Sequence, residues 1–204
     1  MKSDYLKPDT YAELYRVMQP ANVLAIRVSL ETGLRIDDVL RLKWENFGKS
    51  TKFTYFAKKT GKKGVKKVSK VLKTELFARK VSGSDYVFPG RKRGTHRTRQ
   101  AVWKDIKKAA DLMGIQLNAS PHSARKTYAV ELRKTEGLAS VQRELQHSDM
   151  STTMLYAFAD LARGGKREPT PSSDELLTFA DLVARRVVEL LLPELIKAKE
   201  KTTD

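Results

Sequence analysis

Two of the three histidines in this 204-residue chain stand at spacings that could serve chemistry on an anion. His122 lies in the stretch HSAR, three residues before Arg125. On a helix that spacing places an imidazole, which can move a proton, on the same face as a guanidinium, which can bind an oxyanion. His147 opens the stretch HSDMSTTMLY, which ends nine residues later at Tyr156. A tyrosine hydroxyl becomes a nucleophile when a proton acceptor and positive charge offset its ordinary pKa of about 10.

Three further side chains complete this set. Arg35 follows a glycine that can end a helix, and Asp38 lies about one helical turn after it; Lys59 stands in KTG, inside a hairpin pattern. Each has an ordinary structural explanation when taken alone: a surface HxxR pair, a core tyrosine, a solvated lysine. Together they indicate a phosphate site, because two arginines can hold non-bridging oxygens in forked geometry. A lysine beside them can protonate a leaving oxygen.

The charge balance indicates a polyanionic partner. Lys and Arg number 40 against 24 Asp and Glu, a formal net charge of +16. Two blocks lack acids altogether, with ten lysines in 49–73 and five Lys or Arg in 91–99. Dense basic blocks favour nucleic acid over a merely solubilising face. The candidate contacts are Lys58, Lys62, Lys63, Arg91, Lys92, Arg93, Arg97 and Arg99.

Composition also sets limits on the class of protein. There is no cysteine, which excludes disulfides and thiolate metal sites and fits a reducing compartment. No signal-peptide pattern stands at the N-terminus, and the longest apolar stretch, VVELLLPELI, is too short to span a bilayer. The sequence therefore predicts a soluble, cytoplasmic protein without a membrane segment.

Hydrophobic periodicity predicts a mainly α-helical α+β domain with one small antiparallel sheet. β-Formers on both sides of the turn KKTGKKG predict a hairpin over 52–72. Helical patterns cover 8–18, 21–33, 35–44, 74–81, 100–114, 121–137, 138–146 and 151–159.

A polar Gly/Pro segment then predicts a domain boundary. The expected organisation is a catalytic domain over 1–162, a linker over 163–173 and a helical segment over 174–204. The last segment begins with a capping box at Ser172 and Glu175 and carries an apolar stripe from Leu176 to Leu191. Such a stripe packs either on its own domain or on another subunit, and the sequence leaves both open.

The order and spacing of these motifs resemble the tyrosine recombinases, the phage integrase family, from about residue 6 to 160. All six positions of that family's catalytic set have a matching residue, and Asp38 matches its supporting acid. The matching residues are Arg35, Lys59, His122, Arg125, His147 and Tyr156.

The resemblance implies binding and cleavage of double-stranded DNA. Tyr156 would attack a phosphodiester and form a 3′-phosphotyrosyl link, with the two arginines stabilising the transition state. Lys59 would protonate the 5′-oxygen, His122 would accept the tyrosine proton or position the phosphate, and His147 would bind a phosphate oxygen. The family needs no metal or other cofactor. It works as a tetramer on DNA through a Holliday junction, in some members with accessory DNA-bending proteins, which implies association with the nucleoid.

Two local departures from the family pattern affect this carry-over. Gln146 replaces the usual glycine before the second histidine, and VSK replaces the Val-Pro pair after the hairpin. The lysine register is therefore less secure, and Lys58, Lys62 or Lys63 could replace Lys59. The family's usual N-terminal core-binding domain has no counterpart ahead of the motifs, as in a fragment or in short relatives such as the fimbrial DNA invertases.

Two other functions compete with an active recombinase. The first is a DNA-binding regulator that keeps the fold without cutting, although such a relative should lack a catalytic residue and none is missing. The second is a related strand-passing enzyme, a type IB topoisomerase or telomere resolvase. Specific binding without a covalent adduct would favour the regulator, and cleavage without joining to a partner site would favour the strand-passing enzyme.

Overall fold

The computed structural model describes residues 3–145 and the single positions Thr153, Leu177 and Asp181. The mainly helical fold with one two-stranded antiparallel sheet is confirmed. Apart from those single positions, the predicted helix over 151–159, the linker and the C-terminal segment lie outside the described residues. The elements are α1 (Pro8–Tyr15), α2 (Pro20–Thr32), α3 (Ile36–Leu40), a 3-10 turn (Trp44–Asn46), β1 (Lys52–Ala57), β2 (Lys62–Lys67), α4 (Lys70–Ala78), α5 (Arg99–Leu112), α6 (Pro121–Glu136) and α7 (Leu138–Leu145).

The ends of α2 and α6 follow directly from local sequence. Gly33 ends α2 with φ of 69°, in the left-handed region that glycine adopts without strain. A Cβ at this position would also lie 2.5 Å from the ring of Tyr128, so the helix corner has no room for a side chain. Ser120 caps α6 through a reciprocal pair of hydrogen bonds with Ser123, and Pro121 occupies the first helical position.

The hairpin forms where predicted but is shorter than the pattern suggested. Its turn is only 58–61, and the remaining residues of KKTGKKG belong to β2. The predicted strand over 68–72 is wrong, because α4 begins at Lys70 with Ser69 as its N-cap. The Ser69 hydroxyl caps α4 by accepting the backbone N–H of Leu72 at 3.1 Å. The carboxylate of Glu31 holds this cap, accepting hydrogen bonds from the backbone N–H of Ser69, at 2.7 Å, and from its hydroxyl, at 3.0 Å.

The core lies between the helices and the inner face of β1. Alternate residues of β1 point inward, and α2 packs against α3, α4 and α6. Fully burying one Leu, Ile or Phe side chain contributes about 1.5–3 kcal/mol, so this cluster holds the frame of the site. Its largest fully buried members include Tyr11, Leu14, Ile26, Leu40, Phe53, Leu72, Phe88 and Ile106.

A smaller apolar cluster packs α7 on α6. Ala129, Val141 and Leu145 are its buried members, and Tyr128 and Leu132 cover its edge. This contact fixes the end of α7, after which the chain continues to His147. Within residues 3–145, none of the helices is long and apolar enough to cross a membrane.

Candidate active site

The corner between α2 and α3 positions Arg35 and Asp38. Arg35 is the N-cap of α3, and its carbonyl accepts the backbone N–H of Asp38 at 2.9 Å. Asp38 is only 3% exposed, and its Oδ1 accepts the backbone N–H of Lys58 at 3.0 Å. A carboxylate on α3 therefore holds the first residue of the hairpin turn, and the exposed Lys59 follows it directly.

Arg125 joins this corner to the end of α7. It lies on the buried face of α6 and is 3% exposed. One terminal nitrogen, Nη1, donates to the carbonyl of Gly33, and Nη2 donates to the carbonyl of Leu145 at 2.8 Å. Arg125 thus links the carbonyl two residues before Arg35 to the carbonyl two residues before His147.

The pKa values of His122 and Asp38 are both shifted by burial and by the charges around them. Burial lowers the pKa of His122 below its usual value of 6.5, and the positive charges of Arg99, Arg125 and Arg35 lower it further. Burial raises the pKa of Asp38, against the opposing effects of the Lys58 N–H, Arg35 and Arg125. Because the charges of Arg35 and Arg125 act on both groups, these four residues lie within electrostatic reach of one another. Their joint role at a phosphate stays a prediction.

Asp38→Asn should leave the free energy of unfolding at pH 7 equal to or above that of the wild type. Because the pKa of Asp38 is raised in the folded state, the ionised carboxylate lowers the free energy of unfolding at pH values above that pKa. Asparagine keeps the Oδ1 acceptor for the Lys58 N–H but carries no charge. Urea unfolding at pH 7 and pH 4 measures this, and the difference should shrink towards pH 4 as the wild-type carboxyl protonates.

Asp38→Ala is the matched control for that substitution. It removes the acceptor as well as the charge, so it should cost about 1–3 kcal/mol. An Asp38→Asn variant that loses as much as Asp38→Ala would contradict the stated balance of burial and hydrogen bonding.

Most of the candidate nucleic-acid contacts are exposed, at the hairpin tip, in the loop before α5 or at the start of α5. Arg97 differs from the others. Its Nη1 donates to Gln19 Oε1 at 3.2 Å and to Asn22 Oδ1 at 3.1 Å. Asp105 accepts from the backbone N–H of Gln19 and from the Asn22 amide, so Arg97 holds the basic loop against α2 and α5.

A cleft of about 500 Å³ opens beside His122. Arg99, Trp103 and Lys107 line it from α5, and Trp103 is 45% exposed. Trp103 and Lys107 are not among the site residues predicted from the sequence. Arg99, Trp103 and Lys107 follow one another at intervals of four residues, which places all three on one helix face and is the signal that could have found them.

His96 has an ordinary structural role in the loop before α5. His96 donates from Nδ1 to the carbonyl of Arg97 at 2.8 Å, and its ring packs edge-on against Tyr86 with centroids 5.4 Å apart. In the part of the chain that the structure describes, no three His, Cys, Asp or Glu side chains converge on a possible metal position. His147 and Tyr156 lie outside the described residues, and their places in the site stay predictions.

Comparison with known proteins assigns the family. The model of the phage integrase family matches residues 4–163. The tyrosine recombinase XerD of Shewanella oneidensis is 33% identical over 142 residues, covering 65% of this chain and 47% of that protein. XerC of Xanthomonas campestris is 31% identical over 134 residues, covering 63% of this chain and 41% of that protein. The chain therefore spans about half the length of the curated relatives it matches.

Solved structures show the same fold at low sequence identity. A λ integrase dimer bound to a COC′ core site gives a TM-score of 0.67 at 18% identity, covering 85% of this chain and 52% of that one. The catalytic domain of bacteriophage HP1 integrase gives a TM-score of 0.57 at 20% identity, covering 83% of this chain and 100% of that one. With the family match over most of its length, the chain belongs to the phage integrase family, the tyrosine recombinases.

Proposed function

We propose that this chain is a site-specific DNA recombinase that cleaves and rejoins duplex DNA through a 3′-phosphotyrosyl intermediate at Tyr156. The observation that carries the proposal is the convergence of Arg35, Asp38, His122 and Arg125 beside the hairpin that bears Lys59. The guanidinium groups of Arg35 and Arg125 can donate hydrogen bonds to a phosphodiester, which gains negative charge as it reacts.

The reaction balances without an external reagent. The Tyr156 oxygen attacks phosphorus and its proton passes to His122, which is neutral near pH 7 because its pKa is lowered. Arg35 and Arg125 bind the non-bridging oxygens, with His147 donating a further hydrogen bond. Lys59 protonates the 5′-oxygen as the P–O bond breaks. The phosphotyrosyl link conserves the bond energy, so attack by a 5′-hydroxyl restores the DNA.

The basic surface supplies the affinity for DNA in this proposal. The hairpin tip and the loop before α5 carry exposed lysines and arginines on a chain with a net charge of +16. Contacts from such side chains to phosphates give binding that weakens steeply with salt. Lys58, Lys62 and Lys63 flank Lys59 at the tip and are the alternatives for its role.

Self-association on DNA is part of the same proposal. Among the solved structures of similar fold is a λ integrase tetramer bound to a Holliday junction, with a TM-score of 0.67. In the proposed organisation, 1–162 forms the catalytic domain, and the segment over 174–204 packs on its own domain or on a neighbouring subunit.

The pH dependence of cleavage should reveal His122 as the proton acceptor. Because the pKa of His122 lies below 6.5, the rate should stay level from pH 8 to about pH 7.5, and the midpoint of its acidic limb should lie below pH 6.5. Arg99→Gln removes a positive charge that lowers this pKa, so the acidic limb should move to higher pH. Single-turnover rates with saturating protein measure this separately from DNA affinity.

Lys104→Gln, on an exposed position of the same helix, is the control for general loss of charge. It should leave the acidic limb in place. Equal displacement in both variants, or none in Arg99→Gln, would contradict the role given to His122.

Covalent capture tests the proposed function itself. The protein is incubated with sheared genomic DNA from its source, denatured in detergent, and the retained DNA is sequenced while the linked peptide is identified by mass spectrometry. Retention of a few repeated sequence sites on the peptide that contains Tyr156 is the expected result. Specific binding with no adduct would instead support a non-cleaving regulator, and adducts without joining to a partner site would support a strand-passing enzyme.

A further inference from the structure

An ion pair between Lys66 and Glu144 joins the hairpin to α7, and the side chain of Glu144 is 40% exposed. Lys66 lies on β2 opposite Phe53, and its side chain is 9% exposed. Its Nζ donates to the carboxylate of Glu144 and, at 2.9 Å, to the carbonyl of the same residue. Both partners of Nζ therefore belong to the penultimate residue of α7, on a segment 78 positions further along the chain.

Tyr128 of α6 completes this contact. The Lys66 Nζ lies 5.8 Å from the centroid of its ring, a distance at which a cation and an aromatic face attract. Burial raises the pKa of Tyr128 to about 12, and the nearby Glu144 and Glu136 carboxylates raise it while Arg125 lowers it. The same ring closes over Gly33, so the Lys66–Glu144 pair lies against the corner that leads to Arg35.

The hairpin is thus held at two points on either side of Lys59. Asp38 holds its turn through the N–H of Lys58, and Glu144 holds its second strand through Lys66. The next residue after Glu144 is Leu145, whose carbonyl is bound by Arg125. Strand β2 follows Lys59, the proposed proton donor to the leaving oxygen, and is therefore bound to the end of α7. From there the chain continues to His147 and Tyr156.

We propose that Lys66 and Glu144 are positioning residues that keep the hairpin carrying Lys59 in a fixed position against the end of α7. This inference rests on the proposed function. The physical reason is that the Lys66 ammonium, on a side chain only 9% exposed, has the Glu144 carboxylate as its charged partner and loses it when either residue moves away. The hairpin therefore takes this position when the end of α7 is in place to receive Lys66. Neither residue touches the phosphate in this account; both act through the position of Lys59.

The test uses a leaving group that does not need a proton. Its probe is a duplex of the captured sequence with either oxygen or sulfur at the bridging 5′ position of the scissile link. A thiolate leaves more readily than an alkoxide, since thiols are far more acidic than alcohols, so sulfur bypasses the general acid. Lys66→Met, which keeps the length and apolar stem, should slow cleavage of the oxygen substrate about 10- to 100-fold, the scale of a misplaced catalytic group. On the sulfur substrate it should react within about 3-fold of the wild type.

Lys67→Met is the matched control, since Lys67 is the exposed neighbour on the same strand. It should match the wild type on both substrates. Exchanging the charges in Lys66→Glu with Glu144→Lys should recover part of the loss on oxygen. Equal slowing on oxygen and sulfur, or no difference between Lys66→Met and Lys67→Met, would overturn the positioning role.

Hydrogen exchange provides a readout that does not depend on activity. Lys66→Met should speed amide exchange in both β2 and α7, and Lys67→Met in neither; unchanged exchange in α7 would overturn the coupling. A wild-type protein that forms no adduct on either substrate would reject the proposed function and with it the catalytic part of the inference. The exchange result would still decide whether the hairpin and α7 are coupled.

Discussion

Replacing Tyr156 with phenylalanine should lower the rate of covalent adduct formation by at least about 10⁴-fold, as expected when the nucleophile of a concerted site is removed. The substitution deletes one oxygen, and a phosphotyrosyl link cannot form without it. DNA affinity should change by less than about 2-fold, because phosphate contacts from the basic surface supply most of it. Detergent-stable complexes measure the first quantity, and fluorescence anisotropy at fixed salt measures the second.

Tyr15→Phe, at the end of α1, is the control for this experiment. It removes the same atom from a tyrosine that the mechanism does not use, so its adduct should form at the wild-type rate. An adduct that persists in Tyr156→Phe and maps to another tyrosine would contradict the assignment of the nucleophile.

Arg125→Lys should be the most damaging conservative change in the described part of the site. The guanidinium spans the carbonyls of Gly33 and Leu145, and a single ammonium cannot reproduce that planar fork. Leaving one buried carbonyl without its donor costs about 1–3 kcal/mol in the free energy of unfolding. Cleavage should fall about 100- to 1000-fold, the usual cost of losing a preorganised donor to a charged transition state.

Urea unfolding and single-turnover cleavage separate the two effects of Arg125→Lys. Arg143→Lys on α7 is the control; its guanidinium donates to the Ser140 hydroxyl at 3.0 Å, so stability should stay within about 0.5 kcal/mol. Unchanged stability in Arg125→Lys would mean that its bonds to the two carbonyls do not hold the site together. Unchanged cleavage would mean that Arg125 does not act on the phosphate.

Local chemistry in the sequence determined where several helices begin and end. Gly33 ends α2 because the left-handed corner suits glycine, and Ser120 with Pro121 begins α6 because their backbone groups suit a first turn. The three-residue spacing of His122 and Arg125 predicts a shared helix region by geometry alone. Such signals lie within a few residues of the feature they specify, which is why they can be found in one sequence.

The tertiary structure decided which distant residues pair with one another and how burial and charge shift their pKa values. Glu31 holds the Ser69 cap of α4, and Asp38 and Glu144 hold the hairpin. The internal role of Arg97 requires Gln19 and Asn22, which lie 78 and 75 positions away in the chain. No local period encodes such partners, because each pair meets only after the helices have packed. The lowered pKa of His122 has the same origin, since burial and distant arginines act on it only in the folded chain.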